Sequence, residues 1–160
     1  MNEHLARWTF ISIIQYFETV ATGLGLPLFV EGRDERTDDV QRADRAELRI
    51  MGPDVSNPSS SFWTIECGIN LLLVKQMDFV SADVYDIRRW AGSFQDAMLD
   101  PIPVYKRGIG VVDDDTLIDC LTVRNREPKA VMVWDFGQMS KDDRVRQMEI
   151  DGLFDMEINS

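Results

Sequence analysis

Apolar residues along the chain fall into two helical stripes and a series of alternating runs. Residues 3 to 22 place Phe10, Ile13, Ile14, Phe17, Val20 and Ala21 at helical spacing, and Gly23 supplies a C-terminal stop. The other flank of this segment, with Leu5, Trp8, Ile11 and Tyr16, is apolar too. A helix apolar on more than one side is expected between layers or under a partner subunit. A second helix starts at Ser81, a good N-cap, with Asp83 placed in its first turn against the helix dipole. Val84, Ile87, Ala91, Phe94 and Met98 form its stripe. The Asp100-Pro101 step ends it, because the residue before a proline avoids helical angles.

The other runs read as strands. Leu26 to Glu31 is short. Ala46, Leu48 and Ile50 alternate with Glu47 and Arg49 in one arm of a hairpin, GPDVSNPSSS is read as its loop, and Phe62 to Val74 is the long second arm. In that arm Trp63, Ile65, Cys67, Ile69, Leu71 and Leu73 share a face. The opposite face carries Thr64, Glu66, Gly68 and Asn70 and turns apolar at Leu72 and Val74, so its second half is expected to be covered on both sides. Ile102 to Ile109, Leu117 to Arg124 and Ala130 to Phe136 are further short strands. In the last run Met148, Ile150, Gly152, Phe154, Met156 and Ile158 alternate with Gln147, Glu149, Asp151, Asp155 and Glu157, and only Leu153 breaks the polar face. One side of this strand should meet a core, the other water or an acidic channel. The charged stretch GRDERTDDVQRADR reads as a loop, either solvated surface or an assembly arm. Repeats, low-complexity tracts and linkers are absent, so residues 1–160 are expected to form a single α+β domain. Its sheet would be mostly antiparallel or mixed and packed against two main helices.

Composition narrows the setting. A chain of 160 residues buries about 70% of its unfolded surface as one domain. Its 44% hydrophobic and 28% charged residues are ordinary for a folded chain. Two cysteines inside apolar runs cannot make a disulfide framework and fit a reducing cytoplasm. The N-terminal stretch MNEHLARWTFISIIQYF carries Glu3 and Arg7 and lacks an A-x-A-like cleavage site, which argues against secretion. No apolar run approaches the roughly 20 residues of a membrane span, so no membrane partner is expected. Twenty-eight acidic against seventeen basic residues give a formal charge of −11, which opposes binding to phosphate backbones.

Candidate chemistry is sparse. The only histidine, His4, lies near the chain start, which disfavours Ser-His catalysis. Cys67 and Cys120 have neither a histidine nearby nor CxxC spacing, and zinc lacks soft ligands. Asp113, Asp114 and Asp115 could meet a hard cation, but DDDTLID lacks the EF-hand spacing. Pro53-Asp54 ahead of Glu66 suggests a Mg²⁺ nuclease core of the PD...ExK type, yet Gly68 stands where that pattern needs lysine. The Gly23/Gly25 and Gly108/Gly110 pairs lack the third glycine of a phosphate cradle. The expectation is therefore a non-enzyme, with no catalytic residue, cofactor or metal site.

The order of elements does carry a resemblance. An N-terminal amphipathic helix is followed by a strand, a charged loop and a long hairpin (RAELRI to FWTIECGINLLLV). A helix (DVYDIRRWAGSFQDAML) and strands ending in QMEIDGLFDMEI complete the order. Over most of its length the chain resembles the tail-terminator and neck (head-tail joining) proteins of long-tailed bacteriophages. The strands around LIDCLTVR and AVMVWDF lie outside the pattern of the smallest members. The resemblance implies a tail-terminator-like fold and a homo-oligomeric ring, a hexamer, that caps the polymerised tail tube and stops its growth. It implies a tail tube protein as partner, with the sheath as a further candidate, and a head connector or stopper protein on the other side. DNA would pass without specific binding, and the protein would reside in the tail or neck of a virion assembled in the host cytoplasm.

A closed ring needs two different patches on each subunit. The first helix, the charged 32–45 loop and the Pro/Ser loop at 53–61 are candidates. An acidic lumen would repel DNA; the equal alternative is that the charge serves solubility alone. The competing expectation is an acidic binding module or inhibitor of the DNA-mimic type. Against it, the acids are interleaved with Arg33, Arg36, Arg42, Arg45 and Arg49, which favours protein docking.

Overall fold

In the computed structural model, residues 2–34, 44–59, 61–77, 81–107, 116–125, 129–138 and 145–159 are described. They form α1 (Asn2–Gly23), β1 (Leu28–Val30), β2 (Arg45–Ser59), β3 (Phe62–Gln76), α2 (Ser81–Leu99), β4 (Ile102–Tyr105), β5 (Leu117–Val123), β6 (Val131–Gln138) and β7 (Val145–Asn159). The architecture is α+β, as the pattern implies.

The seven strands lie in the order β1-β2-β3-β7-β5-β4, with β6 also on β7. Only β1 runs parallel to its neighbour, so the sheet is mixed. β3 and β7 pair from Phe62↔Asn159 to Gln76↔Val145, the full length of both strands. The other flank of β7 is shared: β6 takes Arg146 to Gly152, and β5 takes Phe154 and Asp155.

Side chains alternate between the two faces of a strand. The register therefore places Leu48, Leu71, Ile150 and Val133 in one row, and Ile65 beside Met156 in another. This inner face joins α1 and α2 in one apolar cluster, with Ile13 and Phe17 from α1 and Ile87, Phe94 and Met98 from α2 fully buried. Each such side chain contributes about 1.5–3 kcal/mol relative to exposure. The six inner-face residues expected on β3 share that face, and so does the β7 series.

Helix α1 packs against β2, β4 and α2. Its Tyr16 hydroxyl donates to the Ala97 carbonyl at 2.7 Å. Leu5 is buried and Trp8, Ile11 and Tyr16 are half-buried, so the second apolar flank is partly used within the chain. Buried Trp90 and Ala97 widen the α2 stripe beyond the expected residues.

The hairpin loop is a correction. GPDVSNPSSS was expected to interrupt β2, yet the strand runs on to Ser59. Two register shifts, between Met51 and Asp54 and between Ser56 and Ser59, take up Pro53 and Pro58. β1 covers β2 only at Ala46 to Leu48, so the distal half has no strand on its other side among the described residues. A proline there removes no ladder bond. Gly52 makes the turn possible: its φ is 93°, and a Cβ would lie 2.9 Å from the Asp54 nitrogen and 3.1 Å from the Glu66 oxygen. On the far side of β3, Val74 is buried and Leu72 half-buried, so burial on both faces is complete only at Val74. Residues 35–43 of the charged loop, Asp113 to Asp115, the Gly108/Gly110 pair and the side chains of Ser81 and Asp83 lie outside the described residues.

Candidate assembly surfaces

The outer face of the sheet has no helix upon it among the described elements, and its chemistry follows from the same alternation. Glu47, Glu66, Glu149, Asp151, Asp155 and Glu157 occupy outer positions on β2, β3 and β7, against Arg45, Arg49 and Arg124. The arginines hold particular carboxylates. Arg124 donates to Asp155 at 2.5 Å and also to Glu66. Arg45 meets Glu47 at 2.8 Å with both side chains nearly buried, and Arg49 meets Glu31. Hydrogen bonds to Asp155 and Glu66 raise the Arg124 guanidinium above its already high range, so it stays charged.

An apolar break crosses this acidic field. Met51 and Leu153, both about half exposed, lie on either side of Gly68. A Cβ on Gly68 would come within 2.7 Å of the Met51 Cε and 3.8 Å of the Leu153 Cδ2. The bare position is roofed by Met51.

The suspected nuclease pair is brought together, since Asp54 and Glu66 are cross-strand partners. Glu66 is engaged by Arg124, however, and the lysine position remains Gly68 beneath Met51. Among the described residues, no group of three His, Cys, Asp or Glu side chains is placed to hold a metal ion. Burial, followed by the charges of Asp155 and Asp54, pushes the Cys67 thiol up to about 12, so it is a neutral packing group near pH 7. Cys120 is half-buried and also unpaired. His4 is exposed and stacks on Trp8 at 5.7 Å. No described helix is long and apolar enough to cross a membrane.

The edges of the sheet differ in how they are finished. At β4 the Tyr105 N–H donates to the Ser12 hydroxyl of α1 at 3.0 Å. At β1 the Val30 N–H donates to the Asp34 carboxylate at 2.8 Å. Asp34 is held below the usual carboxylate range by its hydrogen bond from Arg33, and the Val30 amide adds to this. On β2 the two prolines stand in the open half. These are common ways of blunting an edge.

β6 is finished differently. It pairs with β7 on one side, and no described strand lies on the other. Trp134 and Phe136 remain 49% and 48% exposed upon it. Its one charge, Asp135, is held by Arg146 at 2.8 Å and approached by Arg88 at 3.7 Å. Burial pushes the Asp135 carboxyl up. Hydrogen bonds from Arg146 and the Gly137 amide, with the charges of Arg146 and Arg88, outweigh this and leave it below the ordinary range. Helix α2 packs alongside β6 and exposes Tyr85, Arg88 and Arg89.

Between β1 and β7 the outer face of the sheet is hollowed, and its Glu149 stands across from Trp134 of β6. One concavity is walled by Phe29, Glu31, Arg49 and Leu72, with Glu47 and Glu149 beside them. A second, formed by Glu31, Arg49, Ile50 and Met51, adjoins it. Sequence reasoning named neither feature. The run AVMVWDF signals a strand but does not reveal that its flank is open. The hollow depends on β1 stopping after three residues.

No family model matches the chain, and no curated protein matches its sequence. Solved structures similar to it include a chain without a functional description, at 10% identity and a TM-score of 0.49, covering 90% of this chain and 92% of that one. Another is a chain from the virion of a native gene transfer agent particle, at 12% identity and a TM-score of 0.45, covering 92% of both.

Proposed function

We propose that this chain is a structural virion subunit that assembles head to tail into a ring, a hexamer, at the top of a phage tail. The ring ends tube growth and joins the tail to the head connector. The observation that carries the reading is the division of the sheet: one face is sealed by helices, while the other carries a field of carboxylates and, on β6, the exposed Trp134, with no further strand beside β6 among the described residues. A large charged face keeps phosphates away and lets DNA pass unbound, and an open apolar edge in a folded chain marks a contact surface. Its partners are copies of itself, the tube protein and the connector or stopper. No bond-making role is assigned to any side chain.

Electron microscopy of the purified protein with tail tubes tests this. Annular particles of six subunits on tube ends are the expected result. A strict monomer that leaves tube ends bare would overturn it. The acidic-inhibitor reading draws on the same carboxylates, but Arg45, Arg49 and Arg124 interrupt the field and fix Glu47, Glu31, Glu66 and Asp155. Tight one-to-one capture of a nuclease or polymerase by a monomer would favour that reading. An enzymatic role would require Mg²⁺-dependent cleavage that disappears in Asp54→Asn or Glu66→Gln.

A further inference from the structure

We infer that the outer face of the sheet holds a seat for one arginine side chain of a different protein. The guanidinium lies on the Trp134 ring and bonds the Glu149 carboxylate. The inference does not rest on the ring reading, because it concerns the side chain this face accepts and not the form of the assembly. The seat follows from register: Phe29 pairs with Glu47, Glu47 with Leu72, Leu72 with Glu149 and Glu149 with Trp134, so one residue from each of five strands stands in a row on the same face. Directly opposite residues hold their Cβ atoms about 4.5–5.5 Å apart, which sets the Glu149 carboxylate beside the Trp134 ring.

Glu149 is the carboxylate left over. Among the described residues the hollow beside it is walled by four, Glu31, Asp34, Glu47 and Glu149. Arg49 holds Glu31, Arg33 holds Asp34 and Arg45 holds Glu47. Glu149 accepts the Asn70 amide on one oxygen and has no lysine or arginine within ion-pair distance among the described residues. Arg49 feels its charge from further away but is committed to Glu31. Asn70 thus fixes the carboxylate and leaves its second oxygen for a newcomer. Trp134 beside it is 49% exposed, and the cation–ring contacts among the described residues are made by Trp90 and Tyr105 instead. The hollow holds ≈ 180 Å³, below the roughly 300–1,000 Å³ of small-molecule pockets, so it takes a side chain and not a whole ligand. A guanidinium suits both walls at once, since its plane stacks on an indole while its edge forks onto a carboxylate; an ammonium offers neither the plane nor the fork. A formal charge of −11 repels a second copy and draws a basic surface of another protein.

The test titrates a Gly-Arg-Gly peptide with blocked termini into the isotope-labelled full chain and follows the Asn70 side-chain amide by two-dimensional NMR. That signal should shift saturably. The same peptide with citrulline, which keeps the shape without the charge, should leave it in place, and Gly-Lys-Gly should bind more weakly. Trp134→Ala and Glu149→Gln should each weaken the arginine peptide at least about fivefold. Glu157→Gln, exposed on the same face, should leave its affinity unchanged. Circular dichroism verifies that the variants fold, and Glu149→Gln keeps the shape of the row. No shift with the arginine peptide overturns the inference. So does equal binding of the citrulline or lysine peptide, which removes the role of the guanidinium. A loss in Glu157→Gln as large as in Glu149→Gln would reduce the seat to diffuse attraction toward an acidic face. Self-association of wild type in ultracentrifugation that disappears in Glu149→Gln would make a second copy the source of the arginine and overturn its assignment to a different protein.

Discussion

The inner and outer faces of the sheet are built from the same three long strands, β2, β3 and β7, yet they follow opposite rules. Inward, Leu48, Ile65, Ile69, Leu71 and Ile150 are essentially sealed from solvent. Outward, one residue away in each case, stand Glu47, Glu66, Asn70 and Glu149. Because the period of a strand is two, one stretch of sequence specifies a core and a charged surface at once. The inner face carries the packing, and the outer face carries ion pairs and solvent-exposed carboxylates.

Mutations that separate the faces test this division most strongly. Phe94→Ala or Phe154→Ala should each cost about 3–5 kcal/mol in urea unfolding, since both rings are fully buried. Leu153→Ala on the outer face should stay within about 0.5–1 kcal/mol in the same measurement. A comparable loss at Leu153 would show that the outer face is part of the core.

A paired comparison of glycines sharpens the point. Gly52→Ala meets backbone atoms at a positive φ and should cost about 1–3 kcal/mol. Gly68→Ala meets the far end of the Met51 side chain, which can swing away, and should cost less than about 1 kcal/mol. Thermal melts of the two variants check the ranking. Within the helical layer, Tyr16→Phe removes only the bond to Ala97 and should cost about 1 kcal/mol.

Titration gives the smallest effects. Asp34 and Asp135 have folded pKa values below their unfolded ones, so their contribution is present above about pH 4 and is lost as pH falls through the folded values. Asp135→Asn should flatten part of the fall in stability below about pH 4. For Cys67 the sign reverses. Its folded pKa is raised to about 12, so its contribution is intact below about pH 8.5 and fades as pH rises toward that value. Iodoacetamide at neutral pH should accordingly label Cys120 well before Cys67.

Local periodicity carried much of the architecture. The α2 stripe and the alternation of β7 both place the right residues inward, because each depends on neighbours within a few positions. β2 defeated that reading. Pro53 and Pro58 are strong loop signals, and their tolerance depends on where β1 ends, which is a property of another strand. The division of one flank of β7 between β5 and β6 is likewise a pairing across distant sequence. The surfaces show the same limit. The acidic field could be read from alternate positions, whereas the openness of Trp134 and Phe136 depends on what the rest of the sheet leaves uncovered.

The placement of β7 also bears on synthesis. It leaves the ribosome after every other described element, yet it lies between β3 on one flank and β5 and β6 on the other. Until it arrives, those three strands have no common neighbour and the inner face cannot close. Folding must wait for such distant pairings, which slows it. A prematurely terminated chain would lack the strand that unites the sheet, so broken copies cannot complete the fold.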